Sequence, residues 1–229
     1  MNRWAAVLAL AVLCVFSSNA HADTVTFVTP AGSTTSGGGV DASVTFITNA
    51  DGSIDITLTN LQANPNDVAQ LISDLTFTLS NGATSGSLKS SMGQEIFVNS
   101  NGTLTLAGTV ATGWDLNGLT LDALGSPVGP SHLIIGPPGG GGTYSNANGS
   151  IAGNGPHNPF LNETATFVVD VPGVTDTTTI DSAVFSFGTT SGIDVTGVPS
   201  VPAPEPSSLM LLGTGLLAIV GRVRKSLAR

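Results

Sequence analysis

From Val40 to Thr48 apolar and polar residues alternate, and from Ser53 to Asn60 they alternate again, with Ile54, Ile56 and Leu58 in step. A period of two residues is the signature of a strand with one buried face. Between the two runs stands Asn49-Ala50-Asp51-Gly52, whose Asp-Gly pair readily takes positive φ, so the pair reads as a β-hairpin. Glu95–Asn99 and Thr103–Ala107 flank Ser100-Asn101-Gly102 and read as a second one. Further strands are expected at Thr24–Thr29, Leu75–Leu79, around Leu119 and Leu121, at Leu133-Ile134-Ile135, and at Thr164–Val171, Thr179–Phe187 and Ile193–Val198. In the run to Phe187, Phe185 and Phe187 are expected to point together into the core. A short helix is expected over 65–72, with Asn64 as its cap, Pro65 at the first helical position and Asp67 near the positive end. Gly125 to Asn162 is mostly a long loop rich in Gly, Pro, Asn and Ser.

Solvent-loving helix formers are scarce, with 6 Lys and Arg among 229 residues, while Gly, Thr, Ser and Asn abound. That composition favours strands joined by tight turns. With no repeat of fixed period, the expected fold is all-β: one antiparallel β-sandwich, a jelly roll being one way to close it, with one short helix. The expected divisions are a signal peptide over 1–22, a secreted domain over 23–198, a Pro-rich linker over 199–206 and a C-terminal segment over 207–229.

The two ends change the picture. Arg3, the apolar run Ala5–Phe16 and Ala20-His21-Ala22 form the three parts of a signal peptide, with cleavage before Asp23. The only cysteine, Cys14, lies inside that run, so the mature chain is expected to hold no disulfide and no thiol nucleophile. All 15 acidic residues lie between Asp23 and Glu205, a stretch in which Lys89 is the only Lys or Arg. So negative a field repels phosphate backbones, and nucleic-acid binding is not expected.

At the other end, Pro204-Glu205-Pro206 precedes an apolar segment that includes Leu209, Leu211, Leu212, Leu216, Leu217, Ile219 and Val220. The basic residues Arg222, Arg224 and Lys225 follow. As a helix, Ser207–Gly221 spans about 22 Å at about 1.5 Å per residue. The hydrocarbon core is about 30 Å thick. As a lone permanent anchor the segment is short, although snorkelling of its basic end extends its reach, and such a C-terminal transmembrane helix suits a chain parked at the membrane for processing.

In this order the parts resemble the PEP-CTERM sorting signal of Gram-negative and related bacteria. The resemblance covers about the last 28 residues. It implies recognition and removal of the tail by a membrane-embedded exosortase, with Pro204, Glu205 and Pro206 as recognition residues and a cut near them. It further implies transient anchoring in the inner membrane, then delivery to the cell surface or the exopolysaccharide matrix, where a non-enzymatic structural or adhesive role in biofilm is expected, exopolysaccharide being a candidate partner. The region around Gly153–Phe160 is similar to central domains of other PEP-CTERM proteins. The same C-terminal module also follows some ice-binding domains, but threonine at period two is what strand propensity alone produces.

Candidate chemistry in the domain is sparse, and no cofactor is expected. His132 and His157 are its only histidines, and joined by Glu163 or Asp122 they would make a metal site, although their spacing matches no metal motif. Ser131 precedes His132, but neighbours in an extended chain point apart. Glu95 and Glu163 are the only glutamates available for a glycosidase pair, and Trp114 and Tyr144 the only Trp and Tyr for a sugar platform. The turn at Asn49–Ser53 offers oxygens to Ca²⁺ without a Ca²⁺-loop pattern, and Gly139–Gly142 lacks the Lys of a phosphate loop. The expectation is a non-enzymatic domain, with a carbohydrate-, Ca²⁺- or ice-binding module as the alternative.

Overall fold

The computed structural model describes residues 23–200, so the signal-peptide residues Ala20 and Ala22 and the whole tail, Pro204 to Arg229, lie outside the described residues. Asp23 opens the first strand. The chain forms β1 (Asp23–Val28), β2 (Thr34–Thr35), β3 (Gly38–Gly39), β4 (Ala42–Thr48), β5 (Ser53–Asn60), β6 (Ile72–Leu79), β7 (Ser87–Val98) and β8 (Leu104–Val110). It continues with β9 (Asp115–Asn117), β10 (Thr120–Asp122), β11 (Ile134–Ile135), β12 (Phe160–Asp170), β13 (Ile180–Phe187), β14 (Asp194–Thr196) and β15 (Val198–Pro199).

Hydrogen bonding sorts the longer strands into two groups. One runs β8-β7-β12-β5-β4-β1-β15 and the other β14-β13-β6-β10-β9. Strand β11 ties them together, pairing with β6 on one side and β12 on the other. The groups face each other across one apolar core: Phe46 of β4 lies 5.3 Å, centroid to centroid, from Phe77 of β6. The architecture is all-β and consistent with a β-sandwich. The alternation read along Val40–Thr48 is realised, since Ala42, Val44, Phe46 and Thr48 are buried while Ser43, Thr45 and Ile47 are half-buried. Burying each large apolar side chain contributes about 1.5–3 kcal/mol, which sets β4 and β5 as the centre of the domain.

Four expectations need correction. The strands are not all antiparallel, because β11 runs parallel to β12. The helix expected over 65–72 is only a 3₁₀ turn at Val68–Gln70, capped by Asp67 rather than Asn64. Asp67 accepts from the Ala69 N–H, and the Gln70 side chain returns to the backbone of Asn66 and Asp67, a box that caps the start of the turn, while the chain is already extended at Leu71 (φ −94°, ψ 139°) and leaves it there. Asn64 instead sits at φ 50° and bonds Ser145. Strand β7 begins at Ser87, not Glu95, and Val198–Pro199, expected at the domain–linker junction, pairs with β1. Phe185 and Phe187 are both buried, as expected, but a register shift after Ser186 lets Ser186 be buried between them.

Asn60, fully buried, donates to the carbonyls of Gln70 and Ile134 and accepts from the Gln62 N–H, so one amide joins β5, the 3₁₀ turn and β11.

Candidate functional site

Three places in the domain gather charged groups. The first joins His132 to Glu95, Nε2 to Oε2, at 3.1 Å, with side chains 12% and 20% exposed. The loop after the cis Gly129–Pro130 peptide carries His132 at φ 58°, and its backbone is held by two bonds: its N–H donates to Pro159 O and its carbonyl accepts the Trp114 indole N–H. Nδ1 lies 2.7 Å from the carbonyl oxygen of Thr112, which can only accept, so Nδ1 carries a proton. Both ring nitrogens are engaged within the protein, which makes His132 a clamp between β7, the Thr112 loop and the start of β12. It lies neither beside His157 nor on Glu163 or Asp122. His157 Nδ1 instead meets the Ser150 carbonyl. Among the described residues no three His, Cys, Asp or Glu side chains gather to hold a metal ion. The Ser131 hydroxyl donates to Val128 O and not to His132.

The second is a carboxyl pair that sequence spacing did not reveal. Asp74 of β6 and Asp122 of β10 are directly opposite across the ladder. Burial, then the adjacent Asp122 carboxyl, pushes Asp74 up to about 7. Ser73 Oγ donates to Asp74 and the Gly125 N–H to Asp122, while Asp74 Oδ1 has no partner. The folded value lies above the unfolded one, so the stability this proton contributes is fully present below the usual carboxylate range. It is lost as pH rises through about 7.

The third is a cleft of about 620 Å³ beside the Asn49–Ser53 turn, lined by Asp51, Gly52, Ser85, Gly86, Ser87 and Asp170 among others. The ammonium of Lys89, the domain's one Lys or Arg, sits 2.7 Å from Asp170, which raises the lysine's pKa. Its lining mixes polar groups with Ala50, Val171, Pro172 and Val174, and no aromatic side chain lines it. Trp114 and Tyr144, the two candidate stacking platforms, are both buried: Trp114 lies 5.3 Å from Phe167 and the Tyr144 hydroxyl donates to Gly136 O. Neither can stack on a sugar in solvent. One carboxylate oxygen of the turn is used internally, Asp51 Oδ1 accepting from both the N–H and the hydroxyl of Ser53. Gly139–Gly142 forms a tight turn, Gly142 N–H to Gly139 O.

The comparison that bears on function concerns the tail rather than the domain. The PEP-CTERM protein-sorting motif matches residues 202–225. The chain carries the PEP-CTERM sorting signal. The match contains Pro204, Glu205 and Pro206, all seven named apolar residues and the basic Arg222, Arg224 and Lys225. The PEP-CTERM motif marks an exported protein that is anchored for sorting and processed by an exosortase. No curated protein and no solved structure matches the chain. Among the described residues no helix is long and apolar enough to cross a membrane.

Proposed function

We propose that the β-sandwich domain is a non-enzymatic structural or adhesive component of the bacterial surface or exopolysaccharide matrix, released there when the exosortase cuts near Pro204-Glu205-Pro206. The sorting motif at 202–225 carries this reading. It fits a structural part for the domain's aromatic and imidazole groups: His132 has both ring nitrogens engaged, and Trp114 and Tyr144 are turned inward. An acidic surface with a single lysine keeps such a domain soluble and away from nucleic acid. The signal peptide at 1–22, with its cut after Ala22, begins the same route.

Intact mass of the protein recovered from the host's envelope and medium tests this, wild type beside Glu205→Ala. The wild type should end near Pro204–Ser207 and leave the membrane, and the variant should stay uncut. A wild type that keeps Leu209–Arg229 would sink the processing step.

The cleft beside Asp51 and Asp170 favours a second reading, a module binding carbohydrate or Ca²⁺. Ice binding has no comparable observation behind it. A rise in melting temperature with Ca²⁺ or purified exopolysaccharide, lost in Asp170→Asn, would select the second reading.

A further inference from the structure

Asn-Gly occurs five times in the chain, at 81–82, 101–102, 117–118, 148–149 and 154–155. In this pair the backbone nitrogen of a residue without a Cβ stands next to the side-chain amide, so ring closure onto Cγ is unhindered. Folding decides which pairs react, because an amide or N–H already held in a hydrogen bond must give it up first. Four of the five are held. Asn81 Oδ1 accepts from the Ala83 N–H, and the Gly82 N–H donates to Leu79 O. Asn101 Oδ1 accepts from both the N–H and the hydroxyl of Thr103, and the Gly102 N–H donates to Asn99 O. The Asn148 amide donates to Asp67 and accepts from Ser150, and the Asn154 amide donates to Gly149 O and accepts from the His157 N–H.

Asn117-Gly118 is the exception. Asn117 ends β9 as an exposed residue, and Thr120 stands opposite it, so Gly118 and Leu119 form a two-residue hairpin loop with Gly118 at φ 64°. Among the described residues no hydrogen bond engages the Asn117 amide or the Gly118 N–H. Strand β9 is also an edge of three residues, paired only to β10. Short edges with few contacts open most readily, which lets Asn117 turn its Cγ onto the Gly118 nitrogen.

We propose that Asn117 is the residue at which this chain deamidates. The Gly118 nitrogen gives its proton to base and attacks Cγ of Asn117. The new N–Cγ bond closes a succinimide ring, the Cγ–Nδ2 bond breaks, and the nitrogen leaves as ammonia with a proton taken from water. Water then opens the ring at either carbonyl and gives aspartate or isoaspartate, so water is the one co-reactant and nothing is oxidised or reduced. Either product loosens the β9–β10 ribbon. Isoaspartate lengthens the backbone by one methylene where a two-residue loop fixes the register. Aspartate sets a carboxylate two positions from Asp115 on the same face, where Asp115, Asp122 and Asp74 already lie in one cross-strand row. The inference goes beyond the proposed delivery to surface or matrix and does not depend on it.

The test incubates the exported protein, purified from its host, at neutral and at mildly alkaline pH and maps its peptides by mass. Each Asn-Gly peptide is followed for the mass gain of an amide turned to an acid. In the folded protein the Asn117 peptide should convert ahead of the other four, and faster at the alkaline pH because the attacking nitrogen must lose a proton. In urea all five should convert at similar rates, since the held amides are released. Asn117→Ser should remove the early conversion with its melting temperature kept. Converted protein, separated by anion exchange, should melt below the unconverted fraction. A folded protein in which another Asn-Gly converts first, all five convert together or none converts would overturn the proposal, as would an Asn117 that leads equally in urea. A converted fraction that melts with the unconverted one would overturn the loosening of the ribbon.

Discussion

The β4–β5 and β7–β8 hairpins are closed by the same turn. In Asn49-Ala50-Asp51-Gly52-Ser53 the Asn49 N–H donates to Ser53 O and Gly52 N–H to Asn49 O. In Asn99-Ser100-Asn101-Gly102-Thr103 the bonds recur position for position. The side chains repeat too: Asp51 and Asn101 accept from the residue two ahead, and Asn49 and Asn99 donate to the hydroxyls of Ser53 and Thr103. Yet β4 and β5 lie in the middle of a sheet with every second residue buried, whereas β8 is an edge with no fully buried residue. The turn therefore sets the register of a hairpin and not its place in the fold. Place is decided by what the strands offer to the core.

The sharpest way to break this comparison uses one phenylalanine from each hairpin. Phe46 is fully buried and packs on both Phe27 and Phe77, whereas Phe97 is 40% exposed. Phe46→Ala should cost about 3–5 kcal/mol in urea unfolding, the usual range for emptying a core site. Phe97→Ala should cost less than about 1 kcal/mol. Equal costs would mean that both hairpins carry the core.

The turns themselves differ in what surrounds the glycine. Gly52 and Gly102 both have positive φ, so alanine is strained at either. A Cβ on Gly52 would meet nothing closer than 3.8 Å, but one on Gly102 would come within 2.4 Å of the Tyr144 carbonyl oxygen. Gly52→Ala should cost about 1–2 kcal/mol from strain alone. Gly102→Ala should cost more, and should also disturb the Tyr144 side chain, visible as a changed tyrosine absorbance. A Gly52→Ala cost equal to or above that of Gly102→Ala would reverse the ranking.

Both turns were legible in the sequence because Asp-Gly and Asn-Gly carry their own conformational requirement. So was the β4–β5 alternation, because one buried face imposes period two. The beginning of β7 was not: Leu88-Lys89-Ser90-Ser91-Met92 is half exposed and holds its place by pairing with β12, an effect with no local signal. The helix expected over 65–72 is cut short: Asn64-Pro65 imitates a helix start, while Leu71 is already extended and leads straight into β6 at Ile72. The His132–Glu95 and Asp74–Asp122 pairs were invisible for a common reason. Each joins residues far apart in sequence, and only the strand register or the loop path brings them together. The sorting signal was legible in full because its three parts are contiguous and are recognised as sequence.

A finer difference lies in the two asparagines. Asn49 is half-buried and its Nδ2 also donates to the Asp55 carboxylate at 3.1 Å, whereas exposed Asn99 reaches only the Thr105 hydroxyl at 3.2 Å. Bonds to a charged acceptor are worth more than neutral ones. Asn49→Ala should therefore cost about 1–2 kcal/mol and Asn99→Ala about 0.5–1 kcal/mol by urea unfolding. The reverse order would show that the charged acceptor is compensated by solvent.

The smallest effect separates the turns by pH. Asp51 accepts two bonds from Ser53, from its hydroxyl and its N–H, and these hold the Asp51 carboxyl below its ordinary value. A depressed folded value means that the turn's contribution is present above the unfolded pKa and is lost as pH falls through the folded one. Asn101 makes the same two bonds without titrating. Asp51→Asn should thus make the first turn behave as the second. The measurement is the difference in melting temperature between variant and wild type, which should be near zero at neutral pH and should move in the variant's favour below about pH 4. A difference that stays constant on acidification would mean that the carboxylate adds nothing to the turn beyond the oxygen an amide also supplies.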